Sequence, residues 1–152
     1  LDSLKGARIK RLEDYIDGTT MMTYGDGVAD INIDDLLAFH KSHGKCLTLT
    51  GVHPPSRFGE LAVSGDRLIN FEEKPQTSTG VINGGYMVFE PGLLDHLTTD
   101  EDCDLEYGAL GKLALEGEVM VYHHKGLWAC VDHERDLHYL NALWANDKAF
   151  WK

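Results

Sequence analysis

The stretch from residue 21 to residue 30, MMTYGDGVAD, constrains the fold most, because it carries a β-prone run directly into a glycine turn and then a helix. The helical pattern begins after Asn32, which can serve as the N-cap. In open α/β sheets, ligands bind outside the carboxyl ends of the strands. Asp26, between the two glycines of the turn, is therefore a candidate metal ligand, although Gly-Asp-Gly is equally typical of an ordinary turn.

Strand patterns and helix patterns alternate along the rest of the chain. Apolar spacing predicts a helix over residues 33–44, and period-two alternation predicts a strand over residues 46–52. Extended runs on both sides of a Ser-Gly-Asp turn predict a hairpin between residues 57 and 73, and residues 7–9 are expected to form a short strand. The sequence therefore predicts a single α/β domain over residues 1–152, with a mixed, mostly parallel sheet and flanking helices.

The formal net charge of −11 limits the classes of partner. It argues against nonspecific nucleic-acid binding, which needs a basic surface, and it requires that a few placed cations and metal ions meet any phosphorylated substrate. The three cysteines are widely spaced and form no Cys-x-x-Cys pair, which favours a reducing compartment. No apolar run approaches the roughly 18 to 20 residues that a bilayer-spanning helix needs. We expect a cytoplasmic protein without nucleic-acid or membrane partners.

Two further segments carry residues suited to a sugar phosphate. Glu73 and Lys74 end a strand pattern just before Pro75, where a lysine suits a phosphate and a glutamate can accept from a hydroxyl. A solvated charged turn is the simpler interpretation of this pair. Asn83 and Gly84 begin another strand, where an amide can bind a sugar hydroxyl and glycine permits close approach of a ligand. A β-bulge explains these two residues equally well.

Asp132 repeats the theme of Asp26, since it follows an extended run and precedes a helical pattern. Capping of that helix would account for Asp132 by itself. Together, however, Asp26 and Asp132 could form a two-carboxylate magnesium site, in which the metal keeps its waters and bridges phosphates.

Five motifs then follow one another along the chain: Tyr24-Gly25-Asp26-Gly27-Val28-Ala29-Asp30, Arg57-Phe58-Gly59, Phe71-Glu72-Glu73-Lys74-Pro75, Ile82-Asn83-Gly84-Gly85, and the segment from Trp128 to Asp132. In this order they resemble the glucose-1-phosphate cytidylyltransferases, or CDP-glucose pyrophosphorylases, which belong to the sugar-phosphate nucleotidylyltransferases. The Gly-Asp-Gly-Val-Ala-Asp form separates this family from its thymidylyl and uridylyl relatives.

The resemblance implies a Rossmann-like nucleotide-diphospho-sugar transferase fold and a reaction in which CTP and glucose 1-phosphate give CDP-glucose and pyrophosphate with Mg²⁺. It implies that Asp26 and Asp132 bind Mg²⁺, that Asp26 and Lys74 are catalytic, and that Lys74 binds the sugar phosphate. The residues that would form the rest of the glucose pocket are Gly25, Gly59, Glu73, Asn83 and Gly84.

One motif of the family, a Gly-Gly-x-Gly-x-Arg-Leu loop that holds the nucleotide, is not found in this sequence. We therefore expect the C-terminal, sugar-binding portion of such an enzyme, with the N-terminal nucleotide-binding part missing and catalysis incomplete. The alternatives are a nucleotidylyltransferase that uses another nucleotide or sugar, and a non-catalytic fragment that binds sugar phosphate or oligomerises. A homo-oligomer is expected in either case, because open sheet edges need cover.

Overall fold

The computed structural model describes residues 2–56, 60–72 and 80–152. Eight strands and four α-helices lie in these ranges, together with short 3₁₀ segments at Glu13–Tyr15 and Pro91–His96 and a π-helical segment at Leu105–Leu110. The strands are β1 (Thr20–Thr23), β2 (Gly27–Ala29), β3 (Leu47–Val52), β4 (Glu60–Ser64), β5 (Arg67–Glu72), β6 (Ile82–Phe89), β7 (Val119–His123) and β8 (Trp128–Cys130). The helices are α1 (Lys5–Lys10), α2 (Ile33–His43), α3 (Gly111–Leu115) and α4 (Glu134–Ala145).

The main sheet has four strands in the order β1-β6-β3-β7. Strand β6 runs antiparallel to β1, with Thr20 opposite Phe89. The N–H of Glu90, just after β6, donates to the carbonyl of Cys46, just before β3. The end of β6 therefore lies beside the beginning of β3, so these two strands are antiparallel as well. Backbone hydrogen bonds at both ends of β3 join it to β7, and they show that these two strands are parallel. Three strands therefore share one direction and β6 opposes them, so the predicted mixed sheet with flanking helices is confirmed.

The described residues group into two compact units. The first unit comprises Leu1–Thr23, Ile33–Thr50 and Gly85–Tyr122, and the second comprises Tyr24–Asn32, Gly51–Gly84 and His123–Lys152. The single domain over residues 1–152 stays a prediction. The core of the first unit includes the fully buried side chains of Leu36, Leu47, Met87, Val88, Phe89, Leu93, Leu105 and Leu113.

Helix α2 agrees with the helix predicted over residues 33–44. It buries Leu36 and His40 and ends before Gly44, whose φ of +64° lies in the left-handed region that favours glycine. The His40 imidazole contacts the hydroxyl of Thr48 through Nδ1 at 2.8 Å and the carboxylate of Glu90 through Nε2 at 3.0 Å. The buried imidazole of His40 is thus hydrogen-bonded within the first unit.

The strand expected at residues 7–9 is wrong, because these residues lie in α1. Ala7 is completely buried and its N–H donates to the carbonyl of Cys103. A Cβ on Gly6 would lie 2.8 Å from that carbonyl oxygen, so glycine lets the helix pack directly against this backbone. Tertiary packing therefore outweighs the weak local preference for a strand.

The predicted hairpin is confirmed where it is described: β4 and β5 are antiparallel, and Gly65 turns between them with a φ of +57°. Its outer ends, residues 57–59 and 73, lie outside the described residues. Within the described part of the chain, no helix is long and apolar enough to cross a membrane.

Candidate active site

A short antiparallel ribbon of β2 and β8 organises the second unit. Gly27 lies opposite Cys130, and Ala29 lies opposite Trp128. The N–H of Val131 donates to the carbonyl of Asp26 at 2.9 Å, so the pairing continues one residue beyond the strands. Because the strands run in opposite directions, the residue before β2 and the residues after β8 lie at the same end of the ribbon.

Asp26 and Asp132 flank this end of the ribbon, and the Cys130 thiol contacts Asp132. The thiol donates to Oδ2 of Asp132 at 3.3 Å. Burial is the largest cause that raises the pKa of Cys130 to about 11, and the hydrogen bond to Asp132 and the charges of Asp132, Asp136 and Asp26 raise it further. The thiol is therefore protonated at neutral pH, and three carboxylates share its surroundings.

The loop that carries Asp132 is tied to the first turn of α4. Helix α4 begins at Glu134 with His133 in the N-cap position, so the alternative in which Asp132 caps the helix is wrong. Oδ2 of Asp136 accepts the backbone N–H of His133 at 3.0 Å and of Asp132 at 3.2 Å. Desolvation opposes ionisation of Asp136, but these N–H donors outweigh it and lower its pKa.

The start of β6 packs against the same ribbon. The indole N–H of Trp128 donates to the carbonyl of Gly84 at 2.9 Å, and this bond is buried. A Cβ on Gly27 would lie 3.6 Å from that carbonyl oxygen. Asn83, the preceding residue in β6, is half-buried. This contact brings the Asn83-Gly84 segment to the ribbon that carries the two aspartates.

The structure thus gathers five of the predicted site residues in the second unit: Gly25, Asp26, Asn83, Gly84 and Asp132. The other three, Gly59, Glu73 and Lys74, lie outside the described residues. Apart from Gly25 itself and its two chain neighbours, no described residue comes within 4 Å of the place where a Cβ on Gly25 would stand. The roles of all eight residues stay predictions.

Neither the Trp128 indole nor Asp136 has a role among the sequence-based predictions. The indole bond joins residues far apart in sequence, so no local pattern could have indicated it. The role of Asp136 depends on where α4 begins, and His133 with Asp136 does not match the Ser/Thr and Glu/Gln pattern by which a capping box is read from sequence.

The opposite end of the ribbon holds a contact between His124 and Asp30 that no sequence pattern predicted. His124 is 8% exposed, and its Nε2 lies 2.9 Å from Oδ1 of Asp30. A Cβ on Gly126 would overlap this carboxylate and would lie 2.8 Å from the His124 ring. A cleft of about 320 Å³ lies beside the pair, lined by His53, His124, Lys125, Gly126 and Leu127.

Asp26 and Asp132 offer the oxygen ligands that Mg²⁺ prefers. Among the residues that the structure describes, no group of three or more His, Cys, Asp or Glu side chains could hold a metal by itself. A pair of carboxylates nevertheless fits Mg²⁺, because this ion usually keeps several waters and binds through one or two carboxylates together with substrate phosphates. The donor set at this end of the ribbon is therefore compatible with Mg²⁺.

Comparisons with known proteins identify relatives over nearly the whole chain. The glucose-1-phosphate cytidylyltransferases of Salmonella typhi and Salmonella typhimurium are each 42% identical over 152 residues, a match to 99% of this chain and 59% of each relative. The chain therefore spans 59% of the length of these curated relatives.

A solved structure shares the fold of this chain. The inositol-1-phosphate CTP transferase from T. maritima superposes with a TM-score of 0.63 at 16% identity, over 97% of this chain and 63% of the other. This likeness confirms the predicted Rossmann-like nucleotide-sugar transferase fold. A family model described as nucleotidyl transferase matches residues 7–145. This chain therefore belongs to the nucleotidyl transferase family.

Proposed function

We propose that this chain contributes the sugar-phosphate and metal site of a glucose-1-phosphate cytidylyltransferase, which joins CTP and glucose 1-phosphate to give CDP-glucose and pyrophosphate. The observation that carries the proposal is the pairing of β2 with β8, which puts Asp26 and Asp132 at one end of a ribbon. The 42% identity to two relatives of that name supports CTP and glucose 1-phosphate as the substrates.

In this proposal Asp26 and Asp132 hold Mg²⁺. When bound, the ion offsets the negative charge of the reacting phosphates. The chain itself carries a formal charge of −11, so phosphates need such local neutralisation before they can bind. Asp26 would hold the ion from the turn before β2, and Asp132 would hold it from the loop after β8.

The glucose pocket of the proposal surrounds the same end of the ribbon. The Asn83 amide offers both a donor and an acceptor for sugar hydroxyls. The Trp128 indole fixes the neighbouring Gly84 carbonyl, which holds this segment in place. Gly25, without a side chain, leaves room for the sugar beside Asp26. Gly59, Glu73 and Lys74 complete the pocket, with the Lys74 ammonium on the sugar phosphate.

A homo-oligomer in the cytoplasm is the proposed setting. The hairpin of β4 and β5 supports self-association, since Leu61, Val63, Ile69 and Phe71 are all more than half exposed. An isolated two-stranded hairpin is marginally stable in water, and a second copy of the chain would cover its apolar side chains. The hairpin also favours the second candidate function, a non-catalytic fragment that oligomerises.

Sedimentation velocity tests the oligomer. We expect an assembly larger than a monomer at micromolar concentration, and we expect the substitution Ile69→Ser to shift it toward the monomer. A wild-type chain that sediments as a monomer at every concentration would contradict self-association.

Calorimetry with sugar 1-phosphates tests the substrate. In the presence of Mg²⁺ we expect glucose 1-phosphate to bind more tightly than mannose 1-phosphate, and we expect Asp26→Asn and Asp132→Asn to remove the benefit of Mg²⁺. Asp14→Asn is the matched control, because Asp14 is an exposed carboxylate in the first unit. Tighter binding of mannose 1-phosphate would overturn the choice of sugar, and absence of binding by folded protein would favour the non-catalytic fragment.

A further inference from the structure

We propose that Asp136 is a positioning residue that holds the backbone of Asp132 so that the Asp132 carboxylate is directed toward the metal ion. This inference rests on the metal role proposed above for Asp132, and it gives Asp136 a task beyond capping helix α4.

The contacts of Asp136 are divided between its two oxygens. Oδ2 accepts the backbone N–H groups of Asp132 and His133, at 3.2 and 3.0 Å. Oδ1 lies 3.6 Å from Nε of Arg135. The Asp136 side chain is 27% exposed, against 70% for Arg135. Asp136 is thus committed, through Oδ2, to backbone contacts inside the chain.

The two N–H bonds restrict the chain where it leaves β8. A carboxylate that accepts the N–H of two successive residues fixes the peptide planes on both sides of Asp132. Fixed peptide planes set the direction in which the side chain of Asp132 leaves the backbone. On the strand side, the backbone carbonyl of Asp26 accepts the N–H of Val131, so the segment is held at both ends.

The contact of Asp132 with Cys130 is of a different kind. Oδ2 of Asp132 accepts from the Cys130 thiol at 3.3 Å, and a thiol is a weak donor. A metal ion can compete with such a donor far more easily than with two backbone N–H groups. Of the two carboxylates, Asp132 is therefore the one suited to bind the metal, and Asp136 is the one suited to support it.

A purely structural role for Asp136 predicts a different outcome. An acidic residue in the first turn stabilises a helix through its dipole and its free N–H groups, whatever lies beyond. Loss of such a cap would lower the stability of the chain without changing its affinity for a metal. The two roles are separated by measuring metal affinity and thermal stability on the same variants.

The probe is Mn²⁺ alone, titrated into this chain while electron paramagnetic resonance follows the signal of the free ion. We expect Asp136→Ala to weaken Mn²⁺ binding by about 10- to 100-fold, the usual range when a residue that supports a metal ligand is lost. Asp136→Asn keeps an oxygen that accepts the same N–H groups, so we expect it to retain most of the affinity. Leu140→Ala is the matched control, because it removes a buried side chain of α4 and leaves these hydrogen bonds intact.

Each outcome bears on a separate claim. Wild-type Mn²⁺ affinity in Asp136→Ala would overturn the positioning role, and so would an equal loss in Asp136→Asn, since the charge would then matter and not the bonds. A loss of Mn²⁺ affinity in Leu140→Ala would mean that the effect of Asp136→Ala reflects only the stability of helix α4. If Asp132→Asn binds Mn²⁺ as the wild type does, the proposed metal site itself is wrong, which is a different failure.

Discussion

Replacement of Trp128 by phenylalanine tests the contact that joins β6 to the β2–β8 ribbon. The Trp128 side chain is 9% exposed, and its indole N–H donates to the carbonyl of Gly84 at 2.9 Å. Phenylalanine keeps an aromatic ring in place but removes the donor. The buried carbonyl of Gly84 then loses this partner.

The size of the effect follows from that loss. A buried acceptor left without its donor costs about 1–3 kcal/mol, and the smaller ring adds a packing defect in the same direction. For a chain of this length, each kcal/mol lowers the melting temperature by about 2–4 °C, so Trp128→Phe should melt about 2–12 °C lower. Because Gly84 belongs to the proposed glucose pocket, affinity for glucose 1-phosphate should fall as well.

Urea and thermal unfolding followed by circular dichroism measure the change. Trp144→Phe is the matched control, since Trp144 is 58% exposed, phenylalanine keeps a ring beside Trp151 and Lys152, and exposed substitutions typically change stability by about 0.5 kcal/mol or less. A Trp128→Phe chain as stable as the control would refute the reasoning, because the indole bond would then contribute nothing to the folded state.

Three further predictions follow from single contacts. Burial is the largest cause that lowers the pKa of His43 from its usual value of 6.5. Below about pH 6.5 the unfolded chain therefore binds more protons than the folded chain, and the urea midpoint should fall as the pH is lowered. The fall should be less steep in His43→Gln, and equal slopes would contradict this. Gly126→Ala should destabilise the chain by about 1–3 kcal/mol in urea unfolding, because the added Cβ would overlap Asp30 and press on His124. An unchanged urea midpoint would mean that Asp30 and His124 move aside without cost. Within the described residues, the buried Thr50 hydroxyl has no hydrogen-bond partner, so Thr50→Val should raise the melting temperature, whereas a lower one would reveal a partner.

Elements with local signals could be predicted from the sequence. Helix α2 has apolar residues at helical spacing and a glycine at its end, and the β4–β5 hairpin has a turn glycine between two extended runs. Strand β2 could not be predicted, because its three residues form a strand only by pairing with β8. The strand expected at residues 7–9 failed for a related reason, since burial against Cys103 selects the helix.

The same distinction between local and long-range signals applies to the candidate site. Asp26 and Asp132 could each be selected from a strand, a turn and a following helix. Their position at one end of the ribbon depends on the register that pairs Gly27 with Cys130, which no local pattern contains. The support from Asp136 depends on where α4 begins, and the boundaries of helices are their least predictable feature.

Titration of glucose 1-phosphate into this chain, with and without Mg²⁺, tests the proposed sugar-phosphate site without requiring catalysis. We expect saturable binding that Mg²⁺ strengthens and that Lys74→Ala removes. Lys112→Ala is the matched control, because Lys112 is an exposed lysine on α3 in the first unit and its loss changes the net charge equally. Folded protein that shows no binding, or binding that is the same in Lys74→Ala, would contradict the account of a sugar-phosphate site in this chain.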